Sequence, residues 1–205
     1  MVCKRMVSVL AGLGLAGLLA AGCIGARADG SGALSLFARA AATAEAAAEA
    51  ARVVRVVDGD TYVMLSGSRT YRLRLLGVDA PEHNQAFGPQ ATDSVGTVLR
   101  VGRVVWVRRA GMDLYGRVLG AVRLPAGTTV APGRPVPLDS LLVVRGWAWA
   151  FDPERATARL LPLQARAQEW GRGLWKCGES QAVPPKVWRG FNAQNKRQYR
   201  GSCTW

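Results

Sequence analysis

The sequence has a single histidine, His83, and only four cysteines among 205 residues, which excludes a zinc framework built from several Cys and His ligands. Any metal here is held by oxygen. Acids are scarce as well: 14 Asp and Glu face 27 Lys and Arg, giving a formal charge of +13. Such an excess points to a polyanionic partner, nucleic acid or an anionic membrane face. No internal repeat is present. Charged residues make up 20% and hydrophobic residues 49%, which is too apolar for a disordered polyelectrolyte and ordinary for a packed domain. The length suits one domain with appendages.

Lys4 and Arg5 precede an uncharged stretch, 6–26, of mostly Leu, Ala, Val and Gly, which is the pattern of an export signal over 1–28. Ala26-Arg27-Ala28 offers an A-x-A cleavage site. Leu19 to Cys23 resembles a bacterial lipobox with its Leu one place early, and on that reading Cys23 carries the lipid. A third reading is an uncleaved anchor, since 6–26 reaches the ~20 residues a bilayer requires, although its five glycines count against it. The expected location is therefore exported and bacterial: periplasmic, secreted or an envelope lipoprotein. Membrane contact is expected only through that lipid or anchor, no protein partner is evident, and a monomer is expected. Cleavage after Ala28 removes three cations and no acid, so 24 basic residues still face 14 acidic ones. Cys177 and Cys203 are then the remaining pair, and an oxidising compartment favours a disulfide between them.

Residues 29–51 are Ala-rich, with Glu45 and Glu49 spaced i,i+4, and read as a helical linker. The texture then changes. Val53–Val57, Thr61–Leu65, Thr70–Leu76, Val104–Val107 and Arg117–Leu124 are short β-branched or alternating runs parted by Gly and Asp turns, which suggests a small five-stranded barrel. Helices are expected at Pro89–Arg100, Leu138–Arg145 and Thr157–Arg172, giving an α+β, β-rich domain over 52–176. Residues 125–137, with three prolines besides Pro132, read as a surface loop. The tail, 177–205, sets Lys186, Arg189, Lys196, Arg197 and Arg200 against the single acid Glu179, among Trp188, Phe191, Tyr199 and Trp205. It reads as a basic, aromatic flap pinned by the disulfide.

Three patches carry acids and arginines beside Gly and Pro: Asp58-Gly59-Asp60-Thr61, the run Arg74 to Glu82, and Asp113-Leu114-Tyr115-Gly116-Arg117. Each alone is explained as a turn. Together they supply what phosphodiester hydrolysis requires: a hard cation, an aimed water, and fixed positive charge for the developing negative charge. Asp60 and Asp79, with the backbone carbonyl of Ala80, make an oxygen cage suited to calcium. Glu82 is placed to hold or deprotonate the attacking water, and Arg74 and Arg117 to fork onto phosphate oxygens.

On these motifs, with F-G-P-Q-A, G-W-A and G-R-G-L-W in the same order from Val53 to Trp175, the chain resembles the thermonuclease, or staphylococcal nuclease-like, family. The resemblance implies a five-stranded OB-fold barrel with about three helices. It also implies a calcium-dependent endonuclease acting on DNA and RNA that leaves 3′-phosphates. Asp60 and Asp79 then match metal ligands, Arg74, Glu82 and Arg117 the catalytic trio, and Tyr115 a nucleotide contact. Ala80 and Leu114 depart from the family's Thr and Lys, and the loop His83 to Ala86 is short and lacks lysine. Single strands are expected to be cut more readily than duplex. His83 reads as a solvated loop residue, Asp58 and Asp113 as turn formers, Thr61 as a support for Asp60, and Trp147, Trp149 and Phe151 as packing. The rival readings are a non-catalytic OB-fold module binding nucleic acid or an envelope protein, and a basic lipoprotein binding anionic lipid.

Overall fold

The computed structural model describes residues 48–151, 157–199 and Cys203. The signal, its cleavage sites, Cys23 and the linker before Ala48 lie outside them.

Alternation decides the strands. In β1 (Glu49–Val56) Ala51 and Val53 point inward while Ala50, Arg52 and Val54 face out. Tyr62 and Met64 of β2 (Thr61–Ser66) and Leu73 and Leu75 of β3 (Arg69–Leu75) follow the same period of two. β5 (Val104–Met112) and β6 (Val118–Leu124) complete the set, burying Val105, Val107, Val122 and Leu124. Consecutive antiparallel pairings run β3-β2-β1-β5-β6, and a parallel pairing of β3 with β6 closes the ring, matching Leu73 with Val118 and Leu75 with Gly120. This is a five-stranded OB-fold barrel. Each fully buried Leu along it contributes roughly 1.5–3 kcal/mol. A two-residue edge strand, β7 (Val136–Pro137), adds to β6, and a separate pair joins β4 (Val78–Asp79) to β8 (Trp149–Ala150).

Helices α1 (Gly88–Val98), α2 (Leu138–Val144) and α3 (Leu161–Glu169) follow the expected segments with altered ends. α1 stops before the expected Arg100. The expected helix Thr157–Arg172 divides into a 3-10 turn, Thr157–Arg159, and α3. Pro162 is the reason: it lacks an N–H and its ring clashes with the carbonyl four residues back, so it fits only in a helix's first turn. β5 runs on from Val107 to Met112 past a bulge between Arg109 and Gly111. The 125–137 segment is not merely a surface loop, because Ala131 within it is fully buried in the core. Trp149 stacks edge-on against buried Trp175 with centroids 4.2 Å apart, so packing is its role; Phe151 stays partly exposed.

The last residues of the expected helical linker are strand. Ala51 is buried and Glu49 pairs across to Val107, so barrel closure overrides the helix propensity of the Ala-rich stretch. Glu49 has found other partners: Arg109 Nε at 2.6 Å, Tyr71 Oη at 3.0 Å and Ser66 Oγ at 3.0 Å. Slight burial raises its carboxyl, but these three hydrogen bonds outweigh that and leave it below the ordinary 4.5. A depressed carboxylate stabilises the fold above the unfolded pKa and stops doing so as pH falls through its folded value. Glu49→Gln is therefore expected to lower the urea midpoint near pH 7, with the gap to the native chain closing below about pH 4.5. Urea titrations at pH 7 and pH 3 check it; a gap that does not shrink would mean that the charge is irrelevant.

The tail packs as a 3-10 turn (Glu179–Gln181), α4 (Pro185–Gly190) and α5 (Ala193–Gln198). Cys177 and Cys203 form the expected disulfide, with Cα atoms 5.9 Å apart. Trp188 of α4 is 1% exposed, which makes the tail part of the fold.

Candidate active site

Strand register sets the site. Thr61 opens β2 directly opposite Arg74 on β3, and Leu75 N–H donates to the Asp60 carbonyl at 2.8 Å, so Asp60 and Arg74 lie at one barrel end. Asp58 shapes the turn before them by accepting from Asp60 N–H at 3.0 Å. Gly59 lies so close to Ala80 that a Cβ there would sit 2.6 Å from the Ala80 methyl. That approach lets Ala80 N–H reach Asp60 Oδ2 at 2.7 Å. The chain turns sharply at Gly77 (φ 81) into β4, which delivers Asp79.

Arg74 holds the two acids together, with Nη1 2.8 Å from Asp60 Oδ2 and Nη2 2.9 Å from Asp79 Oδ1. Its Nη1 also donates to the carbonyls of Leu75 and Val78, at 3.2 and 3.0 Å. Much of the fork expected to face phosphate is thus engaged in organising the acids. Burial pushes the Asp60 carboxyl above its ordinary value; Arg74 opposes this and nearby Asp58 adds to it. Burial likewise raises Asp79, against the pull of Arg74 and then Arg189. Both acids are raised by burial, and the positive charge that faces them comes from Arg74 and, at Asp79, from Arg189.

Arg117 arrives from the β5–β6 turn. Asp113 Oδ1 accepts from the N–H groups of Tyr115 and Arg117, both at 2.9 Å, and its Oδ2 accepts from Arg117 Nε at 2.7 Å. So Asp113 is a turn former, as expected, and also aims Arg117. Arg117 Nη1 lies 3.5 Å from Thr61 Oγ1, and Thr61 donates to Asp60 Oδ1 at 3.2 Å, linking the second arginine to the first acid. Tyr115 is exposed beside the Arg117 guanidinium, which sits 5.5 Å from its ring centroid.

Asp60, Arg74, Asp79, Ala80, Glu82, Tyr115 and Arg117 all line one open cleft of about 510 Å³, joined by Asp58, Arg72, Pro81 and Arg189. His83 is exposed in the loop and is not part of this wall. Sequence reasoning did not bring Arg189 here. It comes from the tail, its Nη1 2.5 Å from Glu82 Oε1 and its Nη2 3.2 Å from Asp79 Oδ2. The available signal was a basic residue beside an aromatic one, Trp188-Arg189, in a tail tied back by a cysteine pair.

Among the described residues no group of three His, Cys, Asp or Glu side chains could hold a metal by itself. The donors present are two buried carboxylates and backbone oxygen, which fits a hard cation that keeps water or substrate oxygens and not a softer metal.

A profile described as "Staphylococcal nuclease homologue" matches residues 72–177. The chain belongs to the staphylococcal nuclease family. It is 36% identical over 138 residues to an "Uncharacterized endonuclease" of Escherichia coli, covering 67% of this chain and 83% of that protein. It is 37% identical over 152 residues to "Protein ParB" of Escherichia coli, covering 73% and 82%. A "Micrococcal nuclease" of Shigella flexneri is 33% identical over 139 residues, covering 67% and 78%. Within the profile match fall Arg74, Asp79, Glu82 and Arg117; Asp60 precedes it and Arg189 follows it. The family makes the chain a nuclease, a hydrolase of phosphodiesters.

Proposed function

We propose that the chain is an exported, calcium-dependent endonuclease that hydrolyses DNA and RNA, prefers single strands and leaves 3′-phosphates. The observation carrying this is the gathering of Asp60, Arg74, Asp79, Glu82 and Arg117 on one cleft in a chain of this family. The export reading rests on the sequence pattern at 1–28, and the spare positive charge of the chain supports a polyanionic substrate.

Asp60, Asp79 and the Ala80 carbonyl would hold the cation, which when bound supplies positive charge to the phosphate and a site for water. Glu82 orients a water for in-line attack on phosphorus and takes its proton. The new bond forms from the water oxygen to phosphorus as the bond to the 5′ oxygen breaks, and the departing 5′ oxygen takes its proton from solvent water. Arg117, aimed by Asp113, meets the charge that develops on the phosphoryl oxygens, and Arg74 keeps the two acids in register. A cleft open at one end of the barrel admits a splayed strand more readily than a stiff duplex.

The test is hydrolysis of denatured and duplex DNA with added calcium and with chelator. The expected result is cleavage that needs calcium, is faster on the denatured strand and yields 3′-phosphate ends. Equal rates with chelator, or no cleavage under either condition, would count against it.

A further inference from the structure

Resting on that reading, we propose that Arg189 is a further phosphate-binding arginine of the active site beside Arg117, supplied by the tail from outside the segment that the family profile matches.

Its backbone is fixed although its helix is only six residues long. Trp188 Nε1 donates to Asn84 Oδ1 at 2.9 Å, and Lys196 lies over the Trp188 ring at 5.5 Å. Gln85 is a shared tie: its Nε2 donates to the Val183 carbonyl, and its Oε1 accepts from Glu82 N–H at 3.1 Å. The loop that carries Glu82 and the tail that carries Arg189 are therefore held by one buried side chain. Phe191 sits 6.1 Å from Trp188 and 5.4 Å from Tyr199, and a disulfide ties Cys203 back to Cys177.

The guanidinium is freer than its backbone. The Arg189 side chain is 49% exposed, against 16% for Arg74 and 25% for Arg117, whose fork is partly held by Asp113. Charge supplies the reason for its presence. The cleft wall carries Asp58, Asp60, Asp79 and Glu82 against Arg72, Arg74, Arg117 and Arg189, so acids and arginines balance four to four only when the tail is docked. In chelator, with no cation on the acids, removing Arg189 leaves four acids against three arginines, a net negative wall that disfavours a phosphodiester. The loop from His83 to Phe87 brings no Lys or Arg of its own. The fork contacts one oxygen each of Glu82 and Asp79, and a phosphate offers it two oxygens on one group.

The experiment uses the full chain with its disulfide intact and compares Arg189→Ala, Arg189→Lys and, as a tail cation outside the cleft, Lys186→Ala. Two quantities are read: kcat/KM on a single-stranded oligonucleotide with calcium, and the salt dependence of binding of that oligonucleotide in chelator. Arg189→Ala is expected to lose roughly 10- to 100-fold in kcat/KM. Its log–log salt slope is expected to shrink by about 0.7, the signature of one lost phosphate contact. Arg189→Lys keeps the slope but recovers only part of the rate, because an ammonium does not fork. Lys186→Ala keeps its rate within about twofold. Unchanged or raised kcat/KM in Arg189→Ala overturns the proposal and makes the residue an ion-pair latch. A lowered rate with an unchanged salt slope overturns it too, assigning the loss to a loosened tail. Failure of the nuclease reading looks different: the native chain itself would not cleave, while the salt slope would still report whether Arg189 touches phosphate.

Discussion

Glu82→Gln and Arg117→Ala are each expected to lower kcat on single-stranded DNA by roughly 10²- to 10³-fold, the effect of removing one group that acts only as charge develops. Gln is nearly the same size as Glu, and the Glu82 backbone N–H that bonds Gln85 is untouched, so the loop keeps its position. What disappears is the acceptor for the water's proton, together with the charge that pairs with Arg189. Arg117 is held from one side by Asp113 and touches Thr61 on the other, so its loss leaves the barrel intact while withdrawing positive charge from the cleft. Melting temperatures close to that of the native chain would show that both variants fold, and single-turnover rates would isolate the chemical step. Rates within threefold of native in a folded Glu82→Gln would remove Glu82 from the mechanism. Asp113→Ala should fall between native and Arg117→Ala, since it frees the arginine without deleting it.

Much of this site was legible because its residues sit on elements that the sequence marks strongly. Alternation fixes β2 and β3, and their register sets Thr61 opposite Arg74, so an acid one residue before Thr61 lands beside that arginine. The short β4 adds Asp79, and Gly77 in the left-handed region makes the turn to it. What escaped was tertiary. Alanines near Glu49 read as helix because propensity is a local quantity, whereas the pairing of Glu49 with Val107 and its ion pair to Arg109 join residues about 60 positions apart. Arg189 escaped for the same reason. Its partners, Glu82 and Asp79, lie 107 and 110 residues earlier, and no periodicity in a tail of two short helices points to them. The division of labour among the arginines was also hidden. Arg74 and Arg117 look equivalent as letters, yet one is engaged mainly with the two acids and with carbonyls, and the other is aimed by its own Asp.

Two substitutions of the same kind in one helix, Gly88→Ala and Gly96→Ala, are expected to have opposite effects. A Cβ at Gly96 meets nothing within 4 Å, so the gain is the smaller conformational freedom of the unfolded chain and better helix propensity, about 0.4–1 kcal/mol of stabilisation. At Gly88 the added carbon overlaps the backbone carbonyl oxygen of Glu82 and lies 2.8 Å from its carbon and 3.2 Å from His83 Cα. Those atoms are main chain, so relief requires the loop or the start of α1 to move, a clash of the sort that typically destabilises by about 1–3 kcal/mol. Moving the loop also moves the Glu82 carboxylate, and a displacement near 1 Å can slow catalysis by roughly 10²-fold. The same shift disturbs Gln85 and Asn84, which hold the tail, so Arg189 is displaced along with Glu82. Denaturant midpoints and kcat/KM for the two variants decide it. Gly96→Ala should unfold later at native activity, and Gly88→Ala should unfold earlier with activity lost beyond what its unfolded fraction explains. A Gly88→Ala enzyme of native activity would show that the close approach of α1 to Glu82 does not position the carboxylate.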